Sequence, residues 1–508
     1  MKILVTGVGG FIGGSVCRKF RLENFEFYSI GRAPFPFNEN NHFIIDDYAL
    51  LPDFSQALIG IDCIIHCAGL AHSHIDSSEE TLDLYRSINV EPTIRLAKEA
   101  VKHGVSRFIY LSSIKVNGES TGINNKFKSS DFPNPQDAYG ISKFEAELAL
   151  QEISATSGLQ VVIIRPTLVY GPCVKGNFAR LLKLINLGIP LPFGSLINSR
   201  AMVSIDNLID LIVVCIEHPR APGKVFLASD GADLSICDLT KFLSRNLHSS
   251  CLIFPLPLKV ISFIDLITFR FFKLSKLSTS LCVDTEDAYD FLAWTPRFNV
   301  YDELTKVTSH YLNHENKKFY IRTKRIFDFL LASFSLVLLS PIFMLVALII
   351  KITSEGSILY WSARFGVFND IFMMPKFRTM QTGTPVLPTH LLSNCNQYLT
   401  SIGSFLRKYS LDELPQLWSI LIGDMSFVGP RPALFNQNDL IALRAKYGID
   451  RLKPGLTGWA QINGRDELSI PIKVGYELQY LNKQSFGFDM KIMCLTFLKV
   501  LRGNGVCH

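Results

Sequence analysis

The eleven cysteines of this chain form no C-x-x-C pair and recur at no regular spacing. That excludes a zinc ribbon and a disulfide framework, and it points to reduced thiols in a cytosolic setting. Charge is scarce too: 19% of residues are Asp, Glu, Lys or Arg, and the net charge is only +6. A nucleic-acid binder concentrates far more positive charge on one face, so no nucleic-acid partner is expected. A mild positive balance suits an anionic membrane surface or phosphate-bearing substrates. There is no internal repeat and no low-complexity tract. No signal peptide is expected, because Lys2 is followed at once by the strand-like ILVTG and then glycines.

What is abundant is apolar: 48% of the 508 residues are hydrophobic, which is greasy for a purely soluble enzyme. The length exceeds what one core usually organises, so two or more domains are expected. Residues 1–312 alternate short aliphatic runs (Lys2–Thr6, Phe25–Ile30, Cys63–His66, Arg107–Leu111, Val161–Arg165) with longer helical patterns. That alternation predicts an α/β fold with a doubly wound parallel sheet. The polar, basic stretch Asn313–Arg325 reads as a linker, and a small, mostly α-helical domain is expected over 351–508.

Between them, Ile326–Ile350 is an apolar run whose only charge is Asp328. At about 1.5 Å per residue it is long enough to cross a bilayer, which needs roughly 20 residues. Ser340-Pro341 sits near its middle, where proline removes a backbone donor and favours a kink. Both flanks are positive, with Lys317, Lys318, Arg322, Lys324 and Arg325 before the run and Lys351, Arg364, Lys376 and Arg378 after it. Positive residues mark the cytoplasmic side. A helix that enters, breaks and returns therefore fits better than a straight span; a span and a buried soluble hairpin are the alternatives.

Gly7-x-x-Gly10-x-x-Gly13 follows the first strand and opens a helix whose next residues are Phe11 and Ile12. Glycines there permit a tight turn and close approach of a pyrophosphate to the helix N-terminus. Tyr139 and Lys143 stand four apart, on one face of a helix, where the ammonium can lower the phenol pKa for acid/base work. Ser113 ends a strand, and Arg165-Pro166 precedes Val169-Tyr170-Gly171-Pro172. In this order these segments resemble the extended short-chain dehydrogenase/reductase family, the NAD-dependent epimerases, dehydratases and reductases of nucleotide sugars. The resemblance implies that Tyr139 transfers the proton, Lys143 orients it and binds the ribose, and Ser113 assists. It further implies that Asp46 or Asp47 holds the adenine end and that His66-Cys67-Ala68-Gly69 and Pro166 line the cofactor. Asn177 and Arg200 fall where family members contact the nucleotide-sugar pyrophosphate.

One departure bears on the reaction. Gly31-Arg32 follows the second strand where NAD-binding members usually place an acid, and an arginine there accommodates the 2′-phosphate of NADP. Exchangeable NADPH suits a reductase, so reduction of a 4-keto-6-deoxy-sugar nucleotide is expected, with 4-epimerisation of a UDP-sugar as the alternative. The run Ser112–Glu119 is also most similar to members that make UDP-N-acetylquinovosamine-type sugars.

Further on, Ser410-Leu-Asp412-Glu413 precedes Gly429-Pro-Arg431-Pro. Taken alone, the tetrapeptide is also a capping box, with Ser410 and Glu413 closing a helix start. The ordered set Lys376-Phe-Arg378, Arg407, Asp412-Glu413, Gly429-Pro-Arg431-Pro and Lys453 to Arg465 resembles the bacterial sugar transferases, monotopic phosphoglycosyl transferases. That resemblance covers about residues 320–505. It implies that Asp412 attacks the β-phosphate of a UDP-sugar, releasing UMP and leaving a sugar-phosphoryl aspartate, which polyprenol phosphate then resolves. By the same resemblance Glu413 would hold Mg²⁺, while Arg407 and Arg431 would stabilise the phosphoryl charge. Lys376, Arg378 and Arg465 are candidates for nucleotide or lipid-phosphate contacts. The implied place is the cytoplasmic face of the bacterial inner membrane. A competing reading makes the C-terminal part only a membrane anchor, but an anchor needs neither the carboxylate pair nor the arginines. The sequence is silent on oligomeric state, and a homo-oligomer is compatible with it.

Overall fold

The computed structural model describes residues 1–35, 41–71, 79–122, 125–257, 260, 278–382, 384, 398–434, 437–464 and 468–501. The chain divides into two compact units, Met1–His314 and Glu315–His508.

The first unit is built on β1 (Ile3–Thr6), β2 (Phe27–Gly31), β3 (His42–Ile44), β4 (Cys63–His66), β5 (Arg107–Leu111), β6 (Gln160–Pro166), β7 (Leu168–Tyr170), β8 (Met202–Ser204) and β9 (Val225–Ala228). Seven of these form one parallel sheet in the order β3-β2-β1-β4-β5-β6-β9, while β7 and β8 pair separately. Side chains alternate between the sheet's faces. Ile3 and Val5 therefore pack with Val16 and Phe20 of the helix Phe11–Leu22 and with Leu208 and Ile212 of Ile205–Glu217. Leu4 and Ile64 pack on the other side with Leu96 of Glu91–Lys102 and Leu150 of Ala138–Ser157. Burial on both faces is why the strands read as unbroken aliphatic runs. The order reverses between β1 and β4, and such a switch point opens a crevice at the carboxyl ends of the strands. The α/β, doubly wound expectation is met.

In the second unit, β10 (Leu359–Phe365) and β11 (Ile371–Phe377) form an antiparallel hairpin, and β12 (Ser426–Val428) pairs in parallel with β13 (Gly455–Thr457). The rest is mainly helical. Its core gathers Ala332, Met374, Leu417, Ile420, Val428, Tyr480 and Ile492.

The expected linker is not an irregular segment. Residues 313–325 lie inside one helix, Val300–Thr353, which continues through Pro341, so the break expected at Ser340-Pro341 does not form. The stretch contains neither Pro nor Gly, and Glu, Lys and Arg are good helix formers, so a polar run here is a helix surface. This is the one described helix long and apolar enough to cross a membrane, and only 11% of its most apolar window is buried. Phe334, Val337, Leu338, Leu345 and Leu348 are all more than half exposed.

Candidate active sites

The crevice of the first unit is shaped by glycine. Gly7 takes φ +72°, and a Cβ on it would stand 2.6 Å from the Ala68 nitrogen. A Cβ on Gly13 would meet the Gly7 carbonyl oxygen at 2.5 Å. The helix Phe11–Leu22 starts at Gly10 with no side-chain cap and no acid in its first turn, so its amides are left for an anion. Phe11 and Ile12 are half-buried and pack against the sheet. Arg32, Asp46 and Asp47 are exposed beyond β2 and β3, and Asp47 accepts from the Ala49 amide at 3.1 Å.

Across the switch point, Ala68 is buried and Gly69 exposed, and a Cβ on Gly69 would lie 3.3 Å from Lys143 Nζ. His66 departs from expectation. Its ring bridges the Thr6 and Thr93 hydroxyls at 2.8 Å each, and burial drives its pKa down to about 3. It is a neutral strut between β1, β4 and a helix, not a wall of the crevice.

Tyr139 and Lys143 ride the helix Ala138–Ser157, whose N-cap Asp137 accepts from the Gly140 amide at 2.7 Å. Lys143 Nζ donates to the Leu111 carbonyl at 2.8 Å and lies over the Tyr110 ring. Burial lowers its pKa to about 8, against the pull of Cys67 and Glu147. The phenol of Tyr139 is instead pushed up to about 12 by burial, with a hydrogen bond from Ser113 acting the other way. Ser113 also accepts from the Lys115 amide at 3.3 Å. Pro166 closes β6 and is buried. Asn177 is exposed in the first turn of the helix Gly176–Asn186, and Arg200 is half-buried, with its backbone bridged to Leu234.

One polar group escaped the sequence reading, and another was read only as part of a motif. Buried Asn89 accepts from the Leu70 amide at 2.7 Å and donates to Ser142 at 3.1 Å, fixing the Gly69 turn against the Tyr139 helix. Arg165 is not a surface cation: it is sealed in a pair with Glu147 at 2.5 Å and donates to Asn117 at 2.9 Å, and Ser112 donates to the same Glu147. The signal for its burial was an arginine inside an otherwise aliphatic strand.

In the second unit, Asp412 is buried in a short 3-10 turn, Leu411–Glu413. Ser410 has φ +53° and its side chain caps nothing, so no capping box forms. Burial raises the Asp412 pKa; Lys376 and Arg407 lower it, and Glu413 raises it further. Glu413 accepts from Lys376 Nζ at 2.8 Å and lies 3.7 Å from Arg431. Arg407 donates to the Thr379 hydroxyl at 3.0 Å. Lys376, Arg407, Asp412, Glu413 and Arg431 are thus brought together from four separated segments. Arg378 is not with them. It is buried against Ser354, whose carbonyl it reaches at 3.0 Å, and against the Glu355 carbonyl. It ties down the end of the apolar helix and presents no free guanidinium to a ligand. Arg465 lies outside the described residues.

The Gly-Pro-Arg-Pro turn is held by backbone contact. A Cβ on Gly429 would overlap the Lys453 carbonyl, and one on Gly455 or Gly458 would overlap Gly429 itself. Arg444 donates to the Arg431 carbonyl at 3.0 Å and to Glu477 at 2.7 Å, a buried pair the sequence did not disclose.

Comparison with known proteins divides the chain at the same place. Residues 3–228 match the NAD dependent epimerase/dehydratase family, and residues 319–503 match the bacterial sugar transferases. A UDP-glucose 4-epimerase of Vibrio cholerae is 39% identical over 62% of this chain and 97% of its own length. The UDP-glucose:undecaprenyl-phosphate glucose-1-phosphate transferase of Escherichia coli K12 is 37% identical over 35% of this chain and 39% of its own. Among solved structures, MoeE5 in complex with UDP-glucose and NAD shares the fold, with TM-score 0.52 and 20% identity over 62% of this chain and 99% of that one. The chain is a fusion of two enzymes, an N-terminal member of the NAD-dependent epimerase/dehydratase family and a C-terminal member of the bacterial sugar transferase family.

Proposed function

We propose that the first unit interconverts UDP-sugars epimeric at C4 and that the second loads the resulting sugar 1-phosphate onto polyprenol phosphate, with release of UMP. The likeness to a 4-epimerase along almost its whole length supports epimerisation over the reduction expected from Arg32. The crevice suits NAD: the Gly7 turn presses on Ala68 too closely for a Cβ, the helix Phe11–Leu22 opens with no cap and no acid against a pyrophosphate, and Lys143 beside Gly69 suits a ribose. When bound, NAD supplies the hydride acceptor and donor. The roles left to the chain are proton transfer by Tyr139 at the C4 hydroxyl, assistance by Ser113, and cofactor and substrate contacts from Gly7, Gly10, Gly13, Ala68, Asn177 and Arg200.

The transfer reading rests on one observation, the buried Asp412 with Lys376 and Arg407 acting on it and Arg431 3.7 Å from the adjacent Glu413. Its carboxylate attacks the β-phosphorus as the bond to the α-phosphate oxygen breaks, and UMP leaves. Polyprenol phosphate then attacks the same phosphorus and frees Asp412. The cations offset charge on the equatorial oxygens. Mg²⁺ takes one or two carboxylates plus substrate oxygens, and Glu413, paired here with Lys376 at 2.8 Å, is the carboxylate beside Asp412 that could supply one. Glu413 would hold it, and the ion would neutralise the pyrophosphate. The UDP-sugars used by both units are cytosolic, which favours a transfer site on the cytoplasmic face; the helix Val300–Thr353 runs unbroken through Pro341 and does not form the break that a re-entrant segment needs.

The deciding experiment follows UMP release from a panel of UDP-sugars by membrane-extracted protein with Mg²⁺ and polyprenol phosphate. Release by the wild type and its loss in Asp412→Asn is the expected result. Release unchanged in that variant would remove Asp412 from the chemistry.

A further inference from the structure

The helix Val300–Thr353 does more at its polar end than lead into an apolar run. Four residues of one stretch, Tyr320, Lys324, Arg325 and Asp328, all point inward. Their spacing of four, one and three puts them on neighbouring faces of about two helical turns. Arg325 donates to the Ile420 carbonyl at 2.6 Å and the Leu421 carbonyl at 2.7 Å. Those are among the last carbonyls of the helix Gln416–Ile422, which begins three residues after Glu413. A cation at a helix C-terminus satisfies orphan acceptors and the helix dipole together. Asp328 is buried and accepts from the Phe427 amide of β12 at 3.2 Å. Lys324 donates to Asp489 at 2.6 Å, and Tyr320 donates to the same carboxylate at 2.8 Å. The Tyr480 hydroxyl lies 2.7 Å from Asp489 and 3.3 Å from the Val428 carbonyl. Val428 leads straight into Gly429-Pro430-Arg431.

The foot of the apolar helix therefore holds both halves of the transfer site, one through residues 420–421 and the other through residues 427–428. Arg325 and Lys324 are engaged by internal acceptors, and Lys324 keeps little exposure. They are poorly placed to act as free cations for lipid headgroups, which is how basic residues beside a membrane segment are usually read.

We propose that Lys324, Arg325 and Asp328 are positioning residues for sugar-phosphate transfer: they set the distance between Asp412 and Arg431 by fixing both against one rigid helix. This rests on the transferase reading above. Misplacing a catalytic group by about 1 Å can cost on the order of 100-fold in rate without loss of binding.

The test uses the full-length protein in membranes and compares Arg325→Ala, Arg325→Lys, Asp328→Ala and Asp328→Asn. UMP release gives kcat and KM, and alkaline-wash retention reports membrane attachment. The expected result is a kcat lowered by roughly 10- to 100-fold in both alanine variants, with KM for the UDP-sugar within about threefold, retention unchanged, and Arg325→Lys and Asp328→Asn recovering part of the rate. Loss of membrane retention in step with activity would overturn the proposal in favour of an anchoring role, as would wild-type kcat in both alanine variants. If Arg325→Ala fails to fold, the Asp328 pair decides alone, because Asn keeps an acceptor for the Phe427 amide and Ala does not. A wild type that releases no UMP would instead strike the transferase reading itself.

Discussion

The two sites are held by opposite means. In the first unit the candidate residues sit at the carboxyl ends of strands or on a helix laid across them, so one regular sheet places Gly7, Ala68, Ser113 and Pro166 along a single rim. In the second unit the sheet pairs are only two-stranded, and Lys376, Asp412, Glu413 and Arg431 meet because separated segments are pinned by polar side chains and by backbone pressed on backbone. Each site nevertheless stands on a sealed Arg–Glu pair: Glu147–Arg165 under the Ser113 strand end, and Glu477–Arg444 under the Arg431 turn. A sheet can lose one polar contact and keep its register through the ladder. A pinned site has no such reserve.

The sharpest way to break the comparison is chemical. Asp412→Asn should reduce UMP release by roughly 10³-fold or more while leaving epimerisation intact, and Tyr139→Phe should do the reverse when a finished UDP-sugar is supplied. Loss of both activities in either variant, measured on the same preparation, would show that the units are obligatorily coupled.

Next come the buried pairs. Removing one partner strands the other charge, so Glu147→Ala and Glu477→Ala should each destabilise their own unit by about 3–5 kcal/mol. Denaturant melts followed by activity should show the Glu477 variant losing UMP release well before global unfolding, and the Glu147 variant losing function and fold together. Coincident loss in both would erase the proposed contrast.

The pH responses differ as well. Burial raises the Asp412 pKa, so the acid limb of UMP release should lie above the ordinary value of 3.8. Lys376 lowers that pKa, so Lys376→Met should move the limb to higher pH. A limb that moves down instead would place Lys376 away from the nucleophile. Lys143 is depressed from 10.5 to about 8. Between those values the unfolded chain carries a proton that the folded one has shed, so this lysine's contribution to stability rises with pH across that window. The crevice loses its cation at the same time. NAD affinity should therefore weaken severalfold as pH rises through about 8, as read by titration calorimetry on cofactor-stripped protein.

The smallest expected effect concerns Arg32, exposed beyond β2. Arg32→Asp should leave NAD⁺ binding within a few-fold and weaken NADP⁺ binding. A strong NADP⁺ preference in the wild type would return attention to reductase chemistry.

The fold of the first unit was legible because its signals are local. Strand alternation, a glycine turn and a four-residue Tyr–Lys spacing each occupy a short window, and the tight backbone turn follows from glycine itself. The second site was legible as a set of residues but not as an arrangement. Arg378 and Arg431 look alike in sequence, yet one ties down Ser354 and Glu355 while the other faces Glu413. Nothing local distinguishes them, because the difference lies in which distant carbonyls each one meets. The basic run before Ile326 failed for the same reason. Composition marked it as a linker, whereas Lys324 and Arg325 have partners at Asp489 and Ile420. His66 shows the reverse error, a titratable residue in a motif that burial makes inert.

The continuous helix also governs how the protein can be divided. A fragment meant to hold the soluble part of the transferase would naturally start after the apolar run, near Lys351. It would lack Tyr320, Lys324, Arg325 and Asp328, leaving the Ile420 and Leu421 carbonyls, the Phe427 amide and the Asp489 carboxylate without the partners they have here. A cut at the boundary between the units, just before Glu315, keeps every one of these bonds and is where the two enzymes should be separated.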